Sequence, residues 1–381
     1  MDNIFILSII VFFFFFSYFL TWLSIPLAKK IKIIDECAEH KIHLKPTTCF
    51  GGIGIVISFL SFLFLNNFFL KLNPTALFPS EKCIFLISGL STLLVLGFFD
   101  DKFGFSAKIK LPVQIFVTIL FISGEFITSL NLVSNQTINN YINLFITFFW
   151  FLTMINAFNI IDGLDGLAGG ISSIIVFFLI VFDLFILKTN NWVQLLVLLS
   201  CILGFLLHNQ YPAKTFMGDT GSTFLGAIIA IYTLKLGIAG RVSAIALIPV
   251  ILLLYPFFDT FFSLVRRTFN FLNNRIENGK SITQYLNFIF KGDRKHIHHK
   301  LLELNGSHKK TVYLLLLINF LLGVISFAFF YSNLYIKLTV LLFLAFGIFL
   351  LLRKLGYIPK MWSIRKSERS LKSMAEKRII K

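Results

Sequence analysis

The sequence predicts an all-α integral membrane protein of about eleven transmembrane helices with a cytoplasmic-face active site. Three observations lead there. Of the 381 residues, 57% are hydrophobic and only 14% are charged, and the mean hydropathy is +0.84. A soluble chain of this length could not hide so much apolar surface in one core. Apolar runs of the roughly 20 residues that a bilayer span needs recur along most of the chain. The basic residues are sharply asymmetric between alternate loops, and the clusters of acids, amides and histidines follow the basic side.

The apolar runs centre on residues 4–25, 51–70, 83–99, 111–130, 143–160, 168–187, 192–207, 221–237, 244–265, 311–331 and 334–352. The first is too long for a signal-peptide core and lacks a basic lead, so it is expected to be a retained span. No polar segment is long enough to fold separately. One polytopic domain, 1–381, is therefore expected, with a motif-bearing core at 26–310 and a basic tail at 353–381. The four cysteines, Cys37, Cys49, Cys83 and Cys201, have no metal-ligand spacing and read as ordinary buried or interfacial residues.

Loops after odd-numbered spans, together with the tail, hold 29 of the 35 Lys and Arg, against six on the other side. That asymmetry puts the odd loops and the C-terminus in the cytoplasm. The net charge of +17 is then mostly a charge of one face. It favours anionic headgroups and anionic substrates there, and nucleic acid is not among the expected partners.

Five polar stretches fall on that face. Asp100-Asp101 closes the third span and is followed by Lys102, Lys108 and Lys110. Adjacent carboxylates at a membrane boundary repel each other and cost desolvation, so a metal ion or nearby cations must offset them. Asn156-Ala-Phe-Asn159-Ile-Ile-Asp162-Gly-Leu-Asp165-Gly-Leu-Ala-Gly-Gly170 repeats an oxygen-bearing side chain every third residue. On a helix this makes one stripe, and such hard oxygens suit Mg²⁺ or Mn²⁺. A bland helix cap with a polar turn is the alternative, but it needs fewer acids and amides. Phe216-Met-Gly-Asp219-Thr-Gly-Ser222 opens the eighth span, where backbone N–H groups can face phosphate; Asp219 could equally be a helix cap. Asp293-Arg294-Lys-His296-Ile-His298-His299 offers histidines and cations that could hold phosphates, bind zinc or simply be solvated. No second Cys/His cluster accompanies it, which favours phosphate over zinc. His40-Lys-Ile-His43-Leu-Lys-Pro46, running to Gly51-Gly52, is weaker: it could border a phosphate site, but positive-inside signalling explains it better.

In this order the five stretches resemble the polyprenyl-phosphate N-acetylhexosamine-1-phosphate transferases, over residues 35–306. The DGLDGLAGG and MGDTGS stretches are the specific ones. The form of the histidine loop is similar to the branch that uses UDP-N-acetylglucosamine to start O-antigen, common-antigen or teichoic-acid linkage synthesis. His40-Lys41 and Thr48 stand where that family often has Arg-Lys and a second Pro.

The resemblance implies transfer of a sugar-1-phosphate from a UDP-N-acetylhexosamine to undecaprenyl phosphate in the inner (plasma) membrane, with release of UMP. It also implies metal ligation by Asn159 and Asp219, and Asp100, Asp101 and Lys108 at the acceptor phosphate. Asn156, Asp162, Asp165, Arg294, His296, His298 and His299 are expected around the donor, and a homodimer is compatible with the reading. Asp259 is expected to pair with Arg266 on one helix face, while Asp183 has no evident partner in the sequence. A flippase would spread polar groups near the midplane and on both sides, and a zinc hydrolase would need an HExxH pair. The sequence has neither pattern.

Overall fold

The computed structural model describes residues 3–35, 46–70, 80–239, 247–278 and 296–354. In chain order the helices are α1 (Asn3–Lys30), α2 (Ile53–Leu65, continued by a π-helical turn Asn66–Leu70), α3 (Ser80–Phe103), α4 (Ala107–Ser123), α5 (Gln136–Ile161), α6 (Leu167–Phe182, continued by a π-helical turn Asp183–Leu187) and α7 (Trp192–Asn209). They continue with α8 (Gly218–Ala239), α9 (Ile248–Leu252), α10 (Leu254–Asn278), α11 (Ile297–Asn305), α12 (His308–Tyr331) and α13 (Leu334–Lys354). The one sheet among the described residues is a short antiparallel pair, β1 (Ile34–Asp35) with β2 (Thr47–Thr48).

The chain is an all-α, multi-pass membrane protein. Among the described residues seven helices are long and apolar enough to span a bilayer: α1, α3, α5, α6 with its π turn, α7, α12 and α13. The other four expected spans fall on α2, α4, α8 and the α9–α10 pair. α2 is only 13 residues before its π turn, and α4 stops at Gly124 rather than running to residue 130. α8 spends its first turn on the polar Gly218–Ser222 stretch. The expected span 244–265 is broken at Leu253. Pro256 explains the break: it has no N–H to give the Leu252 carbonyl, and its ring crowds that carbonyl.

α8 is the axis of the bundle. Every residue from Thr220 to Leu234 is buried, and α3 and α5 pack directly on it. Lipid tails are as apolar as leucine, so association inside a membrane depends on close backbone approach at small residues. A Cβ built on Gly97 of α3 would lie 2.4 Å from Thr220 Cα, and one on Gly226 would lie 2.5 Å from the Met154 carbonyl of α5. α13 is the opposite case: none of its spanning stretch is buried.

The polar side chains at one end of the bundle are tied off among themselves. Asn139 and Asn143 of α5 both donate to the Leu130 carbonyl, at 2.7 and 3.0 Å, and take backbone N–H groups of the 130–133 segment. Asp183, unplaced by the sequence, accepts from Thr189 Oγ1 and from the Trp192 N–H at 2.9 Å, and so starts α7.

Candidate active site

The other end collects the C-terminal ends of α3, α5 and α7 and the N-terminal ends of α4, α6 and α8. Two loops are zipped together there. Thr48 bridges Thr215, Phe216 N–H donates to Thr48 O at 2.8 Å, and Gly51 and Gly52 N–H groups donate to Phe216 and Met217 carbonyls at 2.8 and 3.0 Å. The Gly51-Gly52 stretch thus abuts the stretch that opens α8. His40 and His43 lie outside the described residues.

Asp101, in the last turn of α3, caps α8 from outside. Its carboxylate accepts from Asp219 N at 2.7 Å, Thr220 N at 3.2 Å and Thr220 Oγ1 at 2.7 Å. This is the work of an N-cap residue done by another helix, and the helix dipole favours the negative charge. Gly218 makes it feasible. Its φ is +72°, and a Cβ there would meet Asp101 Oδ2 at 2.6 Å. Asp219 itself stands in the first turn of α8 rather than acting as its cap.

Asp100 has a different environment. Oδ1 accepts the Phe105 N–H at 2.7 Å, which closes the turn out of α3. Oδ2 pairs with Lys110 Nζ at 2.6 Å, and the same ammonium pairs with Asp219 Oδ2 at 2.5 Å. Lys110 therefore bridges two carboxylates from two helices. The structure brings Lys110 here and leaves Lys108 exposed. The register of α4 decides this. With α4 starting at Ala107, Lys110 shares a face with the buried Gln114 one turn on, whereas Lys108 turns outward.

The Asn156–Asp162 stripe is divided in use. Asn156 donates to Gln114 Oε1 at 2.9 Å and braces α5 against α4. Asn159 donates to Ser222 Oγ at 3.2 Å and also bonds the Asp219 carboxylate. Asp162 ends α5 and accepts the Gly218 N–H. Burial holds its carboxyl well above the ordinary aspartate range, and the charges of Asp219 and Asp101 push the same way. Asp165 turns away from this cluster. It accepts the Ala213 N–H at 3.0 Å, while its own N–H donates to His308 Nε2 at 3.1 Å. Gly166, at φ +76°, donates to Asn209 Oδ1 at 3.0 Å. The second half of the DGLDG turn is thus bolted to the loop before α8 and to α12.

Asp100, Asp101 and Asp219 each offer a carboxylate oxygen within 4.8 Å of the others. Among the described residues four carboxylates meet here, with Lys110 as the ammonium between two of them. A hard oxygen donor set with excess negative charge fits a divalent cation such as Mg²⁺ or Mn²⁺.

His296 and His298 stand at the start of α11, and His298 reaches the turn that follows Asp162. Both are buried, with their Nδ1 atoms 3.4 Å from the Asp259 carboxylate, and Ile297 N–H donates to Asp259 Oδ1 at 2.9 Å. Asp259, expected to pair with Arg266, faces the histidine loop. His298 and His299 both reach Gly163, with Nε2 atoms 2.6 and 3.5 Å from where its Cβ would be. His299 is half-buried. Arg294 lies outside the described residues. Sequence reasoning named Lys110 beside the acid pair without giving it a role, and missed Gln114, Asn209 and His308; the helical spacing of Lys110 and Gln114 was the available signal.

A polytopic helical bundle with an acid-rich, cation-seeking site at one end defines the class. Comparison narrows it. The model of glycosyl transferase family 4 matches residues 83–237, from α3 into α8. A protein of Bacillus subtilis (strain 168), named a probable undecaprenyl-phosphate N-acetylglucosaminyl 1-phosphate transferase, is 33% identical over 307 residues, 78% of this chain and 79% of its own. An undecaprenyl-phosphate alpha-N-acetylglucosaminyl 1-phosphate transferase of Thermotoga maritima is 30% identical over 335 residues, 86% of this chain and 93% of its own. A phospho-N-acetylmuramoyl-pentapeptide-transferase of Prochlorococcus marinus (strain MIT 9312) is 32% identical over a shorter stretch, 60% of this chain and 67% of its own. The chain belongs to glycosyl transferase family 4.

Proposed function

We propose that this protein transfers N-acetylglucosamine-1-phosphate from UDP-N-acetylglucosamine to a polyprenyl phosphate, undecaprenyl phosphate in the first instance, and releases UMP. The observation that carries the reading is the meeting of Asp100, Asp101, Asp162 and Asp219 with Asn159 and Lys110 at one end of a membrane bundle. Relatives named for this sugar, aligned over more than three quarters of the chain, support the donor. The product would begin assembly of a cell-envelope polysaccharide.

The reaction joins two anions. An oxygen of the lipid phosphate forms a bond to the β-phosphorus of the UDP-sugar, and the bond from that phosphorus to the bridging oxygen breaks, leaving its electron pair on UMP. A phosphate monoester has its second pKa near 6, so the acceptor is already mostly dianionic at about pH 7. The protein's task is then positioning and charge compensation rather than proton removal. Lys110 supplies one positive charge between Asp100 and Asp219. Asp101 holds the α8 N-terminus, and with it Asp219, at a set place relative to Asp100. Asp219 and Asn159 would hold Mg²⁺ or Mn²⁺, with Asp100 and Asp101 beside them. Such an ion supplies charge neutralisation across a diphosphate.

The Lys and Arg asymmetry supports a cytoplasmic site in the plasma (inner) membrane, with the C-terminus on the same side. The test is to incubate membranes carrying the protein with undecaprenyl phosphate, Mg²⁺ and labelled UDP-sugars. UMP release with UDP-N-acetylglucosamine, abolished by chelator and restored by Mg²⁺, is the expected result. Turnover of UDP-MurNAc-pentapeptide alone would overturn the donor assignment.

A further inference from the structure

The Asp259 carboxylate stands outside the acid cluster and collects three groups of the histidine loop. Its Oδ1 takes the Ile297 N–H at 2.9 Å and lies 3.4 Å from His296 Nδ1, and its Oδ2 lies 3.4 Å from His298 Nδ1. Asp259 is 1% exposed and His298 is 1% exposed. The two imidazoles stand nearly parallel, 8° apart with ring centroids at 5.8 Å. At 3.4 Å these are charge contacts rather than closed hydrogen bonds; the buried carboxylate favours a proton on the facing Nδ1 and thereby orients the ring. The other edge of His298 is thereby set. Neither ring nitrogen closes a hydrogen bond among the described residues, and Nε2 presses on Gly163, where a Cβ would lie only 2.6 Å away. Gly163 directly follows Asp162, whose carboxylate takes the Gly218 N–H at the start of α8. A chain of contacts therefore runs from α10 through one imidazole to the turn that carries Asp162.

We propose that Asp259 is a positioning residue for the donor side of the site: it locks His298 against Gly163, and the locked ring holds the Asp162 turn in register with α8. The assignment rests on the transferase reading given above. On this view His298 acts as a buried brace, and His299, half-buried and with its ring centroid 4.2 Å from that of His298, is the histidine presented toward substrate. Asp259 performs for α11 what Asp101 performs for α8. Each is a carboxylate from another helix that caps a helix start, and each thereby fixes a site element.

A double-mutant cycle with full kinetics tests this. Asp259→Asn, His298→Ala and the double variant are assayed in detergent with UDP-N-acetylglucosamine and undecaprenyl phosphate, and each is melted. Asp259→Asn is expected to lower kcat/KM for the UDP-sugar by about 10- to 100-fold, through a raised KM for that donor, the scale of a positioning loss away from the reacting atoms. The KM for the lipid acceptor stays at the wild-type value, and the loss largely disappears in the His298→Ala background. A lower kcat with both KM values unchanged, or a full loss that persists without His298, overturns the proposal. Should Asp259→Asn fail to accumulate, Asp259→Glu serves in the same cycle. A wild type inert to UDP-N-acetylglucosamine would instead refute the transferase reading. The brace is then still tested by melting: Gly163→Ala lowers Tm in the wild type and lowers it less in His298→Ala, and equal losses refute it.

Discussion

The two ends of the bundle differ in how their polar groups are partnered. At the end built from Asn139, Asn143, Asp183 and Thr189, a short segment is pinned by side chains that bond backbone groups; the buried Asp183 is matched to neutral donors, and the exposed Glu125 pairs with Lys82. At the other end, acids face acids. Asp100, Asp101 and Asp219 lie within 4.8 Å of one another, with Lys110 bridging two of them and Asp162 close by. Buried polar groups normally appear in satisfied sets, because an unsatisfied one costs roughly 1–3 kcal/mol. A cluster that keeps its repulsion is retained for what it binds. The first end is built for stability and the second for function, in one fold with one membrane environment.

Substitutions should separate the two ends. The largest effect is expected from Asp219→Asn, which preserves shape but removes the charge that Lys110 and a cation share. Initial rates measured against Mg²⁺ concentration should fall by orders of magnitude while Tm in detergent stays within a few degrees. Asn159→Ala should lose less and be partly rescued by more Mg²⁺, because a neutral ligand attracts the ion less. Near-normal activity of Asp219→Asn with an unchanged metal dependence would reduce Asp219 to a helix-end residue. An intermediate effect is expected from Asp183→Ala at the opposite end. It strips the Trp192 N–H and Thr189 of their acceptor, which costs about 1–3 kcal/mol of stability, and both KM values should remain as in the wild type. A changed KM there would blur the division between the ends.

The smallest effect sharpens the comparison through pH. The Asp162 carboxyl is held above its ordinary value of 3.8, first by burial and then by Asp219 and Asp101. The folded protein therefore binds this proton more tightly than the unfolded chain, and the group's contribution to stability declines as pH rises above that ordinary value. Asp162→Asn removes the decline. In the absence of divalent ions the variant should melt slightly higher than the wild type at neutral pH, with the difference shrinking toward acid, while its turnover falls. A lower Tm at neutral pH would mean that the Gly218 contact outweighs the burial of charge.

Much was legible without coordinates. Hydropathy established the membrane class, since only helices or closed barrels satisfy backbone groups in lipid. Motif order pointed to the family and to Asp100, Asp101, Asn159, Asp162 and Asp219, because acids at the ends of apolar spans are costly enough to be informative. The number of continuous spans was less accessible. Pro256 interrupts one run, and Gly124 ends another early.

What the sequence by itself determined is the chemistry: a membrane chain whose motif-forming acids, amides and histidines gather on the basic set of loops. Hydropathy could not distinguish the buried α8 from the unburied α13, because both are apolar and lipid is as apolar as a core. Close approach at Gly97 and Gly226 made that distinction. The tertiary structure also decided which residue serves which. Lys110 rather than Lys108 bridges the carboxylates because of the face that α4, starting at Ala107, turns to them. Asp101 caps a helix 118 residues away in sequence, and Asp259 caps one that starts 38 residues on. Such pairings depend on helix register and on which ends meet, and neither is encoded in the local spacing of the residues involved.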